Sequence, residues 1–126
     1  MDLNSLSYII KGCFFEVYNN LGPGLLESVY EKALEYELLS KELNVKTQVP
    51  IPVIYKNDVK LDLGFRLDIL VNNAIIIEIK SVEELNKVHF KQLLTYLKLT
   101  KLKLGYLINF NTDDLNNNTK RIVNNL

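Results

Sequence analysis

The sequence predicts a mixed α/β domain: a sheet of about four strands flanked by helices, with an extra helix at the N-terminus. Three observations carry that reading. Residues 3–20 and two later segments repeat their apolar side chains at helical spacing. The stretches between them alternate with a period of two. Gly22-Pro23-Gly24, Asn57-Asp58 and Asn72-Asn73 punctuate the chain where the pattern changes. With 126 residues, 48% of them hydrophobic, the chain can bury one core but not two. Residues 1–126 are therefore expected to form a single domain, with an N-terminal helix over 1–20, a core over 24–110 and a polar tail over 111–126.

In the first helix, Leu6, Ile9, Ile10, Cys13, Phe14 and Val17 form the apolar stripe, and Asn19-Asn20 ends it. A second helix is expected from Leu25 to Leu43. Val45, Thr47, Val49, Ile51, Val53 and Tyr55 alternate as in a strand, with Pro50 and Pro52 placing it at an edge or over a bulge. Two further strands, 59–71 and 74–80, are joined through Asn72-Asn73. A third helix spans 83–99 and a fourth strand 103–110. In the asparagine-rich tail only a short frayed helix near 120–123 is expected.

Fifteen basic and fifteen acidic residues cancel, which excludes the broad positive field of a protein that coats DNA non-specifically. One cysteine, Cys13, excludes an internal disulfide and a Cys-rich zinc site; its apolar neighbours make it a core thiol. His89 is the only histidine, so it has no partner for a zinc site and is read as a boundary residue. No apolar run approaches the roughly 20 residues of a membrane span. Lys11 and Glu16 interrupt the N-terminal run, which reads as a helix rather than a leader, and the expected compartment is the cytoplasm.

The stretch from Ala74 to Val82, AIIIEIKSV, raises the functional question. A strand of isoleucines ends in an acid and a base, and strand alternation turns Glu78 and Lys80 to one face. Hairpin geometry decides where Asp68 goes. A two-residue turn at Asn72-Asn73 sets it opposite Ile77, whereas a three-residue turn through Ala74 pairs it with Glu78. The longer loop is expected, because it keeps a carboxylate off a layer of isoleucines and asparagine tolerates the left-handed backbone it needs. Facing carboxylates repel. A divalent cation between them, magnesium or manganese, removes the conflict. A surface ion pair between Glu78 and Lys80, worth under about 1 kcal/mol, is the simpler alternative. It leaves Asp68 unexplained.

Helical wheels add detail. In the second helix, Ser28, Lys32, Glu31, Glu35 and Glu42 share a solvated arc, and Val29, Ala33 and Tyr36 mark the expected buried side. Glu27 heads the row Glu27, Tyr30, Leu34, Leu38; interaction with the helix dipole and membership of a site both account for it. In the third helix Phe90, Leu93, Leu94 and Leu97 are core and Lys87, Lys91 and Lys98 solvated. His89, Gln92 and Tyr96 line the shoulder between them. Lys98, Lys101 and Lys103 form a local basic patch that could track phosphates or simply face solvent.

These residues together resemble a known family. Gly24, Glu27 and Tyr30 match the residues that give the GxxExxY family its name. Gln48-Val49-Pro50-Ile51-Pro52-Val53, Phe65-Arg66-Leu67-Asp68, Glu78-Ile79-Lys80 and Gln92 to Leu97 look like its further blocks. That family is placed in the PD-(D/E)XK nuclease-like superfamily. The resemblance implies a restriction-endonuclease-like core, with the element order helix, three strands, helix, strand. It implies that Asp68, Glu78 and the Ile79 carbonyl ligate a metal and that Lys80 is the active-site lysine. It also implies that Glu27 is a helical acid added to the metal and catalytic set, and that Gln92 and Tyr96 position substrate. Leu67 stands where the superfamily's motif carries proline. The expected function is a magnesium-dependent nuclease, with manganese as a substitute metal and nucleic acid, first of all DNA, as partner. The alternative is a non-catalytic nucleic-acid- or protein-binding regulatory module on the same fold. A homodimer or an accessory protein partner is compatible with either.

Overall fold

The computed structural model describes residues 1–62 and 64–126. Helix α1 (Leu3–Leu21) starts at Asp2, whose carboxylate accepts the Ser5 N–H at 2.8 Å. It ends at Gly22, which has a left-handed φ of 67°. Helix α2 spans Glu27–Ser40. The turn between them is held by Tyr30, whose hydroxyl donates to the Gly22 carbonyl at 2.6 Å and accepts the Leu25 N–H at 3.1 Å. The Tyr30 ring stacks on Phe110 with centroids 4.4 Å apart, so the loop is tied to the core.

The expected strand over 45–55 is two strands. β1 (Val45–Pro50) joins the main sheet, and β2 (Val53–Tyr55) turns away to pair with β3 (Val59–Leu61) in a separate ribbon. Pro50 and Pro52, which lack an N–H for a ladder, flank the break. The expected strand over 59–71 likewise divides into β3 and β4 (Arg66–Val71); Leu63, which falls within it, lies outside the described residues. β5 (Ile75–Lys80), helix α3 (Lys87–Thr100) and β6 (Leu104–Asn109) follow. Helix α3 starts four residues later than expected because Asn86 and His89 form its reciprocal N-terminal cap. His89 is half-buried, in keeping with a place between the buried and solvated faces, but its part in the cap was not expected.

The stretch near 120–123, expected as a frayed helix, belongs to strand β7 (Thr119–Val123), preceded by a short 3-10 turn at Asn116–Asn118. Its β-branched residues Thr119, Ile122 and Val123 suit a strand, and the free edge of β6 supplies the ladder, from Leu104↔Val123 to Ile108↔Thr119. Among the described residues the main sheet has the order β1-β4-β5-β6-β7; only β5 and β6 run parallel, connected through α3.

Two helices cover one face of the sheet and one covers the other. Leu6, Ile10, Phe14 and Val17 of α1 and Tyr30, Leu34 and Leu38 of α2 pack on Ile69, Ile75, Ile77 and Ile79. Leu93, Tyr96 and Leu97 of α3 pack on Leu67, Leu70, Ile76 and Leu107. The row headed by Glu27 is thus the buried row of α2. Val29 and Tyr36, expected inside, are exposed, because the way the helix crosses the sheet turns the Tyr30, Leu34 and Leu38 row inward instead. Cys13 is buried, as expected of a core thiol.

Candidate functional site

The β4–β5 hairpin turns through Asn72, Asn73 and Ala74, with φ of 52° and 51° at the two asparagines. Its ladder runs Val71↔Ile75, Leu70↔Ile76, Ile69↔Ile77. This is the three-residue loop, and the next position in that register sets Asp68 opposite Glu78. There the ladder stops and side chains replace it. The Asp68 N–H donates to Glu78 Oε2 and the Ile79 N–H donates to Asp68 Oδ2, each at 2.8 Å. Beyond this point β4 stays with β1 and β5 with β6, so the strands part like a fork. Within a strand the N–H and C=O of one residue point to the same side. The Ile79 carbonyl therefore faces the fork, while the Lys80 carbonyl accepts from Phe110 N–H on the other side.

Burial makes the fork electrostatically tense. Glu78 is 4% exposed, and burial followed by the nearby Asp68 charge pushes its carboxyl up to about 8. Burial also raises Asp68, opposed by the hydrogen bond from Ile79 N–H. Among the described residues Lys80 forms no ion pair with either acid, and the single ion pair is Lys32–Glu35. A solvated Glu78–Lys80 bridge is therefore not what the strand end builds.

Helix α2 brings further groups. Glu27, Ser28, Glu31, Gln48, Asp68 and Ile79 line a cavity of about 140 Å³. At roughly 30 Å³ per water that is room for an ion with a few waters and not for a nucleotide. Glu27 Oε2 accepts the Ser81 N–H at 3.2 Å, and Ser81 Oγ donates to the Leu25 carbonyl at 2.6 Å, clamping the start of α2 to the end of β5. Buried Asn109 fixes the same loop, accepting from Val82 N–H and donating to the Val82 carbonyl. Glu31, expected on the solvated arc, is half-buried and accepts from Gln48 Nε2 at 2.7 Å. Neither Glu31 nor Gln48 stood among the expected site residues. The spacing of four that puts Glu31 over Glu27 was the available signal for the first.

On the α3 face Tyr96 is buried. Desolvation raises its hydroxyl, with the charges of Glu78 and Asp68 adding to the effect and the Gln92 side chain opposing it. Tyr96 thus lies within electrostatic reach of the acids, on the sheet face that α3 covers. The lysines lie apart: Lys98, Lys101 and Lys103 line a depression with Asn124 and Asn125. Leu104, next to Lys103, pairs with Ile75, three residues before Glu78. At about 3.3 Å per residue the patch sits roughly 10 Å or more from the fork, at the other end of the sheet.

Among the described residues no group of three or more His, Cys, Asp and Glu side chains is arranged to hold a metal, and Glu27 and Glu31 are bonded to Ser81 and Gln48. Two carboxylates with one carbonyl are nonetheless a hard-oxygen donor set, and magnesium is commonly held by one or two carboxylates with waters and phosphates completing its shell. The residues fit such an ion.

A family model described as PD-(D/E)XK nuclease superfamily matches residues 4–122. No curated protein and no solved structure gives a significant match. Among the described residues no helix is long and apolar enough to cross a membrane. PD-(D/E)XK nucleases generally use divalent metal ions and bind nucleic acid. With nearly the whole chain matched and the mixed sheet flanked as that fold requires, the protein belongs to the PD-(D/E)XK nuclease superfamily and has its restriction-endonuclease-like α/β fold.

Proposed function

We propose that the protein is a magnesium-dependent nuclease of the GxxExxY branch, acting on DNA at the fork between β4 and β5. The observation that carries the reading is the reciprocal bonding of Asp68 and Glu78 across the open end of the hairpin. It leaves one oxygen of each carboxylate, with the Ile79 carbonyl, for an ion. Magnesium bound there would polarise a phosphate and lower the pKa of a water. Lys80, half-buried at the end of β5, sets an ammonium beside the scissile phosphate and offsets the charge that develops on it. Glu27, on the rim of the cavity, holds and orients a water from the helix side rather than completing an acid cage. Gln92 and Tyr96 donate hydrogen bonds to the sugar–phosphate chain on the α3 side.

Cleavage of single- and double-stranded DNA and of RNA, with magnesium or manganese, tests the reading. Wild type should cut DNA only with metal, and Asp68→Ala and Lys80→Ala should cut about 10³-fold more slowly. A wild-type protein that binds manganese yet cleaves no nucleic acid would instead support the non-catalytic module on the same fold.

A further inference from the structure

Gln48 has a backbone its residue type rarely adopts. Its φ is 51°, in the left-handed region, inside strand β1. The β1–β4 ladder pairs Thr47 with Ile69 and Val49 with Leu67, and skips the position between them, where Gln48 stands opposite Asp68. Glycine would meet that φ without strain. The side chain accounts for glutamine here: its amide donates to Glu31 Oε1 at 2.7 Å, while the register sets Gln48 beside Asp68. All three residues line the same cavity.

We infer that Gln48 is a positioning residue of this site: its amide ties Glu31 on α2 to Asp68 on β4 and so sets the free Asp68 oxygen toward the cation, an inference that rests on the metal-site reading above. The chemistry suits the task. An amide NH₂ has two donors and no charge. It can join two carboxylates without neutralising them, whereas a lysine or arginine there would compete with the cation for Asp68. Strain held at one backbone position beside a cavity is how a fold fixes such a side chain.

Manganese titration calorimetry, with melting of the metal-free protein as control, tests this. Gln48→Gly removes the amide and relieves the backbone, so it should melt at or above the wild-type temperature yet bind manganese about tenfold more weakly, as loss of a group that orients a ligand typically does. Glu31→Ala should weaken binding comparably, and the double variant should be no weaker than the weaker single one, since both break one bridge. Wild-type affinity in Gln48→Gly, or effects that multiply in the double variant, would overturn the assignment while leaving the metal site standing. A wild-type protein that takes up no manganese would overturn both.

Discussion

The β4–β5 hairpin has two halves built on opposite terms. In the half next to the turn, Ile69↔Ile77, Leu70↔Ile76 and Val71↔Ile75 close a backbone ladder between buried aliphatic side chains on both faces. Nothing there titrates. In the open half, one position further, two carboxylates take over the ladder's hydrogen bonds in surroundings that disfavour their charge. The contrast teaches where stability and function divide along one strand. The closed half fixes the register, and the register holds the acids together although they repel. Rigid apolar pairing thus sustains a charge arrangement that would disperse on its own.

The largest effect should come from removing a group of the open half. Asp68→Ala or Lys80→Ala should lower metal-dependent DNA cleavage by about 10³-fold, equal to about 4 kcal/mol of barrier, read in single-turnover assays. Residual cleavage near the wild-type rate would dissolve the distinction between the halves.

Next is pH. Glu78 has a folded pKa raised to about 8 from 4.5, so the folded state holds its proton more tightly than the unfolded chain. Its stabilising contribution is full below about 4.5, and stability falls as pH rises from there to about 8. Denaturant titration of the metal-free protein should show a loss on the order of a few kcal/mol between pH 5 and pH 8. Glu78→Gln should flatten that slope and be the more stable protein at pH 8. Saturating manganese should restore wild type at pH 8 and leave Glu78→Gln unchanged.

Ile77→Val, one residue from Glu78 but in the closed half, should cost about 1 kcal/mol. The cost should be equal at pH 5 and pH 8, with or without manganese. A pH-dependent cost would mean that the two halves are not separate. The smallest effect is expected at the far end of the sheet: replacing Lys101 and Lys103 together by alanine should change DNA affinity less than twofold, measured by fluorescence anisotropy. A tenfold loss would show that substrate reaches across the whole sheet edge.

Much of this site could be read along the chain because its determinants are local. Two asparagines that accept positive φ, followed by a run of isoleucines that ends in Glu78, leave one sensible register, and that register joins Asp68 to Glu78. Val29 and Tyr36 show the limit of the same method. Two arcs of α2 were apolar enough to be buried, and only the crossing of the helix over the sheet chose Tyr30, Leu34 and Leu38. Glu31 was set on the wrong side for the same reason.

The sequence by itself determined the three helices, strands β5 and β6, the hairpin turn and the pairing of its acids, since each follows from backbone preferences over a few residues and from the cost of facing charge toward isoleucine. Tertiary structure alone decided that the tail would be a strand, because an edge strand exists only when β6 offers its edge. It also decided that Gln48 would leave the ladder to meet Glu31 and Asp68, because a contact among α2, β1 and β4 depends on how distant segments pack, which no local pattern records.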